Sequence, residues 1–427
     1  MFFFKFFLPF VLYYVFSFYL CRNYVLFKTA ISSFGENPQI IHLMAGIYVH
    51  IPFCKSRCIY CGFYSTTALE MQEQYIDALI KELNHRRDYL EDEAVNTIYI
   101  GGGTPSLLNN ECLKKLCVTL TDYAESANAR LSKPAGCAME EFTIECNPDD
   151  INEEYASLIA SLGINRVSMG AQTFNDRRLS FLRRRHRSAA VAESVRILRR
   201  HGIENISIDL IFGFPDETIE EWKNDLECAY NLGVEHISAY SLTYEKGTAL
   251  HHMLEKGNVT EIKEEIYLSM YDTLIDRLTS RGYEHYEISN FALPGYRSKH
   301  NSNYWRRIPY LGLGAAAHSF NLNSRQWNVS DIHEYIRKVK SCDWSIVEEK
   351  ETLSDKEKYN DIITTSLRTV DGIDIRTLTP FFQKYLLESA KTHIGNGNLS
   401  LQSDILRLTR KGLYISDTIM VDLMFIE

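Results

Sequence analysis

The chain has no excess of positive charge, because 46 lysines and arginines face 55 aspartates and glutamates and the net charge is −9. No global basic field therefore favours nucleic acid as a partner. Internal repeats and low-complexity linkers are also missing, so the sequence does not indicate a repeat architecture or a flexible tether. One local basic run, residues 183–187, has a solvated helix face as its default interpretation. Inside a site, the same run would suit a carboxylate-rich or phosphate-bearing ligand.

Cysteine is present, but no disulfide framework can be built from it. Seven of the ten cysteines are scattered and are interpreted as small buried hydrophobic side chains. The other three, Cys54, Cys58 and Cys61, follow the spacing C-x3-C-x2-C, with no fourth cysteine just beyond. Three such thiolates can hold three irons of a [4Fe–4S] cluster and leave the fourth iron open. The amino and carboxylate groups of S-adenosylmethionine can chelate that open iron.

Two other interpretations of the three cysteines stay open at this point. A structural zinc site normally has four protein ligands, so it would have to borrow His50 or a distant residue. The three thiols could also be purely structural. A thiolate cluster favours a reducing compartment, and we therefore expect the protein to be cytoplasmic.

The first 43 residues differ in kind from the rest of the chain. Residues 1–20 are apolar and aromatic, with Lys5 as their only charge. We expect an over-extended start, with Met44 as the true first residue, and the alternative is a membrane anchor. A secretory signal conflicts with a reduced cluster. The remaining chain is predicted to comprise a barrel core at 44–250, a flanking segment at 251–330 and a C-terminal domain at 331–427.

A repeating strand-then-helix rhythm begins at Ile47. Each apolar run is short and nearly continuous, as expected for strands buried on both faces of a parallel sheet. The predicted strands are Ile47–Ile51, Thr97–Gly101, Phe142–Cys146, Arg166–Gly170, Ile206–Leu210 and His236–Tyr240. Six units predict an α/β fold with a partial (β/α)6 barrel, and a closed eight-stranded barrel is the alternative. A smaller α+β C-terminal domain with a winged-helix-like end follows, for which we expect a structural or lid role.

Polar and glycine motifs follow the predicted strands at their C-terminal ends, where β/α barrels carry their chemistry. Residues 101–104 read Gly-Gly-Gly-Thr, and glycines allow backbone to approach a ligand closely. A tight structural turn is the alternative for this run. Glu145, Gln172, Arg184 and Asp209 can hydrogen-bond the ribose hydroxyls and the carboxylate of S-adenosylmethionine, with the Arg184 fork suited to a carboxylate.

A second motif lies outside the barrel, where His300 is followed by Asn301, Tyr304 and Trp305. Imidazole is an axial ligand for haem iron, and aromatic side chains pack on a porphyrin face. Two arginines follow directly and could pair with propionates. The alternative is a histidine satisfied within a folded loop.

These stretches together resemble one branch of the radical-SAM family, the branch of oxygen-independent coproporphyrinogen III dehydrogenases and haem chaperones. The resemblance runs from about Tyr48 to the C-terminus and includes YVHIPFC-x3-C-x2-C, GGGTPS, YEISNFA-x-PGY and HN-x2-YW. It implies a [4Fe–4S] cluster on the three cysteines and a haem-related role for His300, Asn301, Tyr304 and Trp305. It implies an S-adenosylmethionine site formed by Tyr48, Tyr60, Gly102, Gly103, Thr104, Glu145, Gln172, Arg184, Asp209 and Ser241.

Two details favour the chaperones within this branch. The dehydrogenases carry a further cysteine two positions after the third, where this chain has Phe63, and the HN-x2-YW motif is held by the chaperones. The sequence therefore predicts a haem chaperone that delivers haem to acceptor proteins, with respiratory enzymes as possible acceptors and a homodimer as a possible form. No catalytic residue is assigned. The alternative function is oxidative decarboxylation of coproporphyrinogen III, and a membrane-anchored docking protein would require residues 1–43.

Overall fold

Strands and helices alternate through the first half of the chain. The structure is a computed structural model and describes residues 44–90, 93–130 and 139–426. The six strands are β1 (Met44–Ile51), β2 (Ala94–Gly102), β3 (Glu141–Cys146), β4 (Arg166–Gln172), β5 (Asn205–Phe212) and β6 (His236–Ser241). The helices between them are α1 (Gln72–His85), α2 (Asn110–Arg130), α3 (Glu153–Ser161), α4 (Asp176–Phe181), α5 (Ser188–Arg200) and α6 (Ile219–Asn231).

The six strands pair in parallel and in chain order, from β1 to β6. Their apolar side chains form the core: Ile47, Val49 and Ile51 of β1 are fully buried. Strands β1 and β6 do not pair with each other, because each has a further strand on its outer side. The partial six-stranded barrel predicted from the sequence is therefore confirmed, and the closed eight-stranded alternative is not adopted.

Parallel pairing brings the C-terminal ends of all six strands to one edge. We call the C-terminal halves of these strands, together with the connecting segments at the same edge, the rim. We call the N-terminal halves of β1–β3, together with the helix Lys299–Trp305 that packs beneath them, the floor. Sequence motifs that follow the strands therefore meet at the rim.

The sheet continues on both sides of the barrel. On the β6 side lie β8 (Asn290–Ala292) and β7 (Glu284–Glu287), both antiparallel. On the β1 side β9 (Tyr310–Leu313) pairs in parallel, followed by β10 (His318–Phe320), β11 (Ser324–Asn328) and β12 (Val347–Thr352). The helices of this region are α7 (Ala249–Glu255), α8 (Glu264–Thr279), α9 (Lys299–Trp305) and α10 (Ile332–Lys340).

The C-terminal part has a hydrophobic core of its own, which includes Tyr359, Leu386 and Leu406. Its elements are α11 (Asp355–Ser366), β13 (Ile373–Asp374), α12 (Pro380–Gly395), β14 (Leu399–Gln402), β15 (Ile405–Leu408), α13 (Arg410–Leu413) and α14 (Ser416–Leu423). The three strands form a separate antiparallel sheet in the order β13-β15-β14. A helix followed by a two-stranded hairpin is the arrangement expected of a winged-helix-like end.

The domain boundaries remain predictions. The large sheet includes β12 and so reaches Thr352, beyond the predicted boundary at residue 331. The predicted extension at 1–43 lies outside the described residues. Within the ranges that are described, no helix is long and apolar enough to cross a membrane.

Candidate functional site

The three cysteines lie on one loop between β1 and α1, which we call the cysteine loop (residues 52–66). Two backbone hydrogen bonds close the loop at its base. The Cys54 amide donates to the Thr66 carbonyl at 2.9 Å, and the Thr66 amide donates to the Pro52 carbonyl at 2.7 Å. The Ile59 amide, between Cys58 and Cys61, donates to the Leu182 carbonyl. The loop is thus fastened at its base and near its tip, with all three thiols in between.

The chemistry of these thiols suits a bound cluster. All three side chains are half-buried and free of disulfides. Burial raises the pKa of Cys54, and it raises the pKa of Cys61 to about 12. Thiols in such surroundings ionise only beside a cation, which iron would supply. In the described part of the chain, the three cysteine sulfurs do not all lie within 4.8 Å of one another. This spacing favours three separate irons over a single zinc ion, whose ligands lie closer together.

Gly102, the last residue of β2, and Gly103, which follows it, are required by packing against the end of β1. Gly102 has φ +115°, and a Cβ there would lie 2.7 Å from the His50 ring. A Cβ on Gly103 would lie 2.8 Å from the Phe53 carbonyl oxygen. This close approach places the Thr104 hydroxyl 3.6 Å from the Cys54 sulfur. The structural-turn explanation therefore accounts for these two glycines, and the turn also supports the cysteine loop.

Glu145, at the end of β3, is held by two donors. The Tyr99 hydroxyl donates to its Oε1 at 2.8 Å, and the Gly102 amide donates to its Oε2 at 3.0 Å. Burial raises the pKa of Glu145 to about 7. The carboxylate thus ties the glycine turn to the barrel interior, and near neutral pH it changes between acceptor-only and donor forms.

Arg184 connects the cysteine loop to two other strand ends. Its guanidinium donates to the Cys58 sulfur at 3.7 Å, to Asn147 Oδ1 at 2.5 Å and to the Gly170 carbonyl at 2.9 Å. Its Nε is buried and has no hydrogen-bond partner among the described residues. A side chain on Gly170 would lie 3.0 Å from this guanidinium, so the glycine makes room for it. An anchored cation with one free donor fits a ligand carboxylate.

The other residues predicted to bind S-adenosylmethionine divide into two groups. Gln172, in a left-handed conformation with φ 66°, lies beside Gly170, and Tyr60 lies near Arg184 and Cys58. Asp209 accepts from the Ser168 hydroxyl at 3.5 Å, and burial raises its pKa to about 6. The last two predicted residues hydrogen-bond neighbouring side chains: Tyr48 with His50 Nδ1 at 3.1 Å, and Ser241 with the Tyr267 hydroxyl.

His300 lies in the floor, away from the cysteines. Its two ring nitrogens hydrogen-bond with the Thr97 hydroxyl at 2.9 Å and the Tyr304 hydroxyl at 2.8 Å. Its amide donates to Glu141 Oε1 at 2.9 Å, and burial lowers its pKa to about 3. Thr97 precedes Gly102 by five residues, which at about 3.3 Å per residue is about 16 Å of strand. In this conformation neither ring nitrogen is free to bind iron. His300 is therefore a satisfied histidine here, which is the alternative interpretation of the motif.

The remaining residues of the motif lie on the same short helix, α9. Asn301 and Tyr304 are half-buried, and the edge of Tyr304 packs against Tyr310 with 4.7 Å between ring centroids. The Arg368 guanidinium lies 4.9 Å from the centroid of the Trp305 ring. The Trp305 Nε1 is buried without a hydrogen-bond partner among the described residues. This end of α9 thus keeps one unused donor beside a cation.

Several residues that shape the site were missed by the sequence reasoning. Asn147 accepts from Arg184, and its position two residues after Glu145 was a usable signal. Tyr99 and Thr97 alternate with apolar residues along β2, a period of two that indicates one face turned into the barrel. Arg166 gave no signal: it is almost fully buried at the start of β4, where its Nε lies 4.0 Å from Glu141.

The partial barrel and the three-thiol loop at its rim define a radical-SAM domain, and residues 48–229 match the radical SAM superfamily. The chain is 38% identical over 326 residues to the heme chaperone HemW of Lactococcus lactis, covering 76% of this chain and 82% of that relative. It is 37% identical over 295 residues to the Bacillus subtilis heme chaperone HemW, covering 69% and 75%. The chain belongs to the HemW family of the radical SAM superfamily.

A solved structure has the same overall fold. The Escherichia coli coproporphyrinogen III oxidase HemN, a radical SAM enzyme, matches with a TM-score of 0.76 over 90% of each chain. The two sequences are 21% identical over this match. At that identity the likeness shows a shared fold, and function has to be argued from the site.

Proposed function

We propose that this protein is a haem chaperone, which binds haem and passes it to haem-dependent acceptor proteins. The observation that carries the proposal is the three-thiol loop without a fourth thiol, in a chain related to HemW over most of its length. Phe63, at the position where dehydrogenases of the resembling branch carry a cysteine, is 40% exposed on that loop. It supplies neither a metal ligand nor a nucleophile.

The rim residues have distinct parts in this function. Cys54, Cys58 and Cys61 would hold a [4Fe–4S] cluster, with S-adenosylmethionine at its open iron. When bound, the pair supplies a redox-active group that can also order the cysteine loop. Arg184 offers its unpartnered Nε to the methionyl carboxylate while its other nitrogens stay fixed on Asn147 and Gly170. Glu145 offers carboxylate oxygens for hydroxyl or amine donors.

Haem ligation by His300 stays a prediction, and the structure gives it a condition. Iron binding requires His300 to give up its bond to Thr97 or to Tyr304, and because the side chain is buried, the packing of α9 on the floor has to open. At the C-terminal end of α9, the unused donor of Trp305 and the exposed Arg306, which also pairs with Asp371 at 3.4 Å, suit haem propionates. Asn301 and Tyr304 would move with it.

Partners and location complete the proposed function. The resemblance favours respiratory enzymes as acceptors and a homodimeric form. A cytoplasmic location follows from the need of a thiolate-held cluster for reducing surroundings. Membrane contact would come through an acceptor or through residues 1–43.

A haem titration tests the proposal. Cluster-loaded protein is titrated with haem under anaerobic conditions, and the Soret band is followed in wild type and in His300→Ala. A saturable shift of the Soret band is expected in wild type. When an apo-haemoprotein is added afterwards, the bound haem should transfer to it. His201→Ala is the matched control, because it removes a histidine that pairs with Glu153 at the surface. Absence of any Soret change in both wild type and His300→Ala would rule the proposal out.

A further inference from the structure

Three potential metal ligands converge on α7, outside the cysteine site. His251, His252 and Glu255 each offer a ligand atom, and these atoms all lie within 4.8 Å of one another. His251 Nδ1 is 3.6 Å from one oxygen of Glu255, and His252 Nδ1 is 3.1 Å from the other. The two imidazoles therefore approach the same carboxylate from neighbouring positions.

These separations match those of ligands around a single ion. Zinc binds nitrogen and carboxylate oxygen at about 2.0–2.2 Å, so the edge of a tetrahedral ligand set is about 3.3 Å. The nitrogen–oxygen distances on α7 lie on either side of that value. An ion could be held with only small side-chain movements.

The unequal exposure of the three side chains supports a ligand at this point. His251 Nδ1 is shielded from solvent yet lies too far from Glu255 for a hydrogen bond, and no other partner exists for it among the described residues. The His252 and Glu255 side chains are more than half exposed, at 62% and 58%. An ion would thus satisfy the shielded nitrogen and keep water on its outer side.

Other surface histidines form simpler pairs. His201 hydrogen-bonds Glu153 at 2.7 Å, and His393 hydrogen-bonds Asp422 at 3.0 Å. Neither pair has a third ligand group within the same 4.8 Å limit in the described part of the chain. The α7 set is therefore more than an ordinary charge-assisted pair.

We propose that His251, His252 and Glu255 form a binding site for one hydrated divalent transition-metal ion. Two imidazoles and a carboxylate suit zinc, nickel or copper(II) rather than magnesium or calcium. The site is separate from the three thiols but supports the same loop, because the Leu250 amide of α7 donates to the Ile59 carbonyl at 2.9 Å. The ion would fix α7 beside the cysteine loop. This proposal does not depend on the haem function.

Zinc binding to untagged, cluster-loaded protein tests it. Zn²⁺ is titrated anaerobically in competition with a chromophoric chelator, and iron content is measured before and after, so that zinc exchange into the thiol site is detected. One zinc ion per chain is expected without loss of iron. His252→Ala and Glu255→Gln should each weaken binding by roughly tenfold or more, since loss of even an outer-shell partner costs that much.

His201→Ala is the matched control, because it removes a partly exposed histidine that pairs with a carboxylate, without touching α7. Its zinc affinity should equal that of wild type. Zinc binding that is absent, that persists unchanged in both α7 variants, or that falls equally in the His201 control overturns the proposal. The side chains of His252, Glu255 and His201 all reach the surface, so the far-ultraviolet circular dichroism of each variant should be unaltered.

Discussion

The rim and the floor of this barrel are both polar, but they use their polar groups differently. At the floor, His300 has both ring nitrogens occupied, and Glu141 accepts from the amides of Lys299 and His300. At the rim, Arg184 keeps a buried donor without a partner among the described residues, and three thiols lie together without a disulfide. In the floor, His300 and Glu141 are satisfied by their neighbours, whereas Arg184 and the three thiols at the rim retain capacity for a ligand.

This difference separates structural from functional polar residues more clearly than residue type does. A histidine beside aromatic side chains suggests a haem ligand in a sequence, yet His300 is a fully engaged part of the floor. Tyr99 joins the two regions: its ring lies 5.3 Å from that of His300, and its hydroxyl donates to Glu145. Variants that affect one region and spare the other can test the distinction.

The largest expected effect is on the rim. Cys58→Ser should abolish stable [4Fe–4S] loading, because two thiolates leave two irons without protein ligands. Iron and acid-labile sulfide after anaerobic reconstitution measure this. Cys342→Ser is the matched control, since Cys342 is an exposed thiol outside the loop. Equal loading of the Cys58 variant and wild type would contradict the assignment of the cluster.

The floor should respond in stability. His300→Ala removes two hydrogen bonds, leaves the Thr97 and Tyr304 hydroxyls unsatisfied and opens a cavity, which together cost roughly 2–4 kcal/mol. Urea unfolding of the cluster-free protein measures this. Arg184→Ala, at the rim, should lose affinity for S-adenosylmethionine while its stability falls less. The contrast fails if His300→Ala is as stable as wild type.

Glu145 gives the rim a pH signature. Its folded-state pKa of about 7 lies above that of an unfolded glutamate, so the folded protein binds the proton more tightly. The contribution of Glu145 to the free energy of unfolding therefore increases as pH falls through 7, by about 1 kcal/mol between pH 8 and pH 6. Glu145→Gln should remove that rise, as measured by urea unfolding at the two pH values.

Other titrating groups should cancel in this comparison. His50 and His318, whose pKa values burial lowers to about 4, titrate in both proteins. Burial likewise raises the pKa of Glu217 to about 7 in both. If Glu145→Gln keeps the full pH dependence of wild type, Glu145 does not titrate near neutrality.

The smallest expected effect concerns the link between the regions. Tyr99→Phe removes one hydrogen bond to Glu145 and should weaken S-adenosylmethionine binding by roughly two- to tenfold, the equivalent of about 0.5–1.5 kcal/mol. Calorimetry on cluster-loaded protein measures this. Tyr335→Phe is the matched control, because Tyr335 donates to the buried Glu82 away from the rim. Equal losses in both variants would indicate a general packing effect.

The sequence predicted the barrel because its strands are long enough to show a pattern. Runs such as Ile47–Ile51 consist largely of apolar or β-branched residues, and their order along the chain is also their order in the sheet. The strands β7–β10 have three or four residues each, too few to show alternation. Their positions depend on pairing with β6 and β1 rather than on local composition.

The rim was predictable for a related reason. Many of its residues lie in the C-terminal half of a strand or shortly after it, so a correct strand assignment also places Cys54, Glu145 and Asp209. The position of His300 could not be predicted in this way, because it depends on α9 packing beneath the barrel. In that packing, Glu141 accepts hydrogen bonds from the first two amides of α9. The packing also needs a glycine at position 46, because a Cβ on Gly46 would lie 3.0 Å from the His300 ring.

The most direct test of the chaperone proposal is an anaerobic turnover assay. Cluster-loaded protein is incubated with S-adenosylmethionine, a reductant and coproporphyrinogen III, and the porphyrins are separated by chromatography; a parallel sample carries haem and an apo-haemoprotein. The expected result is transfer of haem to the apoprotein with no vinyl-bearing product. Formation of vinyl-bearing product dependent on S-adenosylmethionine would contradict the proposal and identify a dehydrogenase.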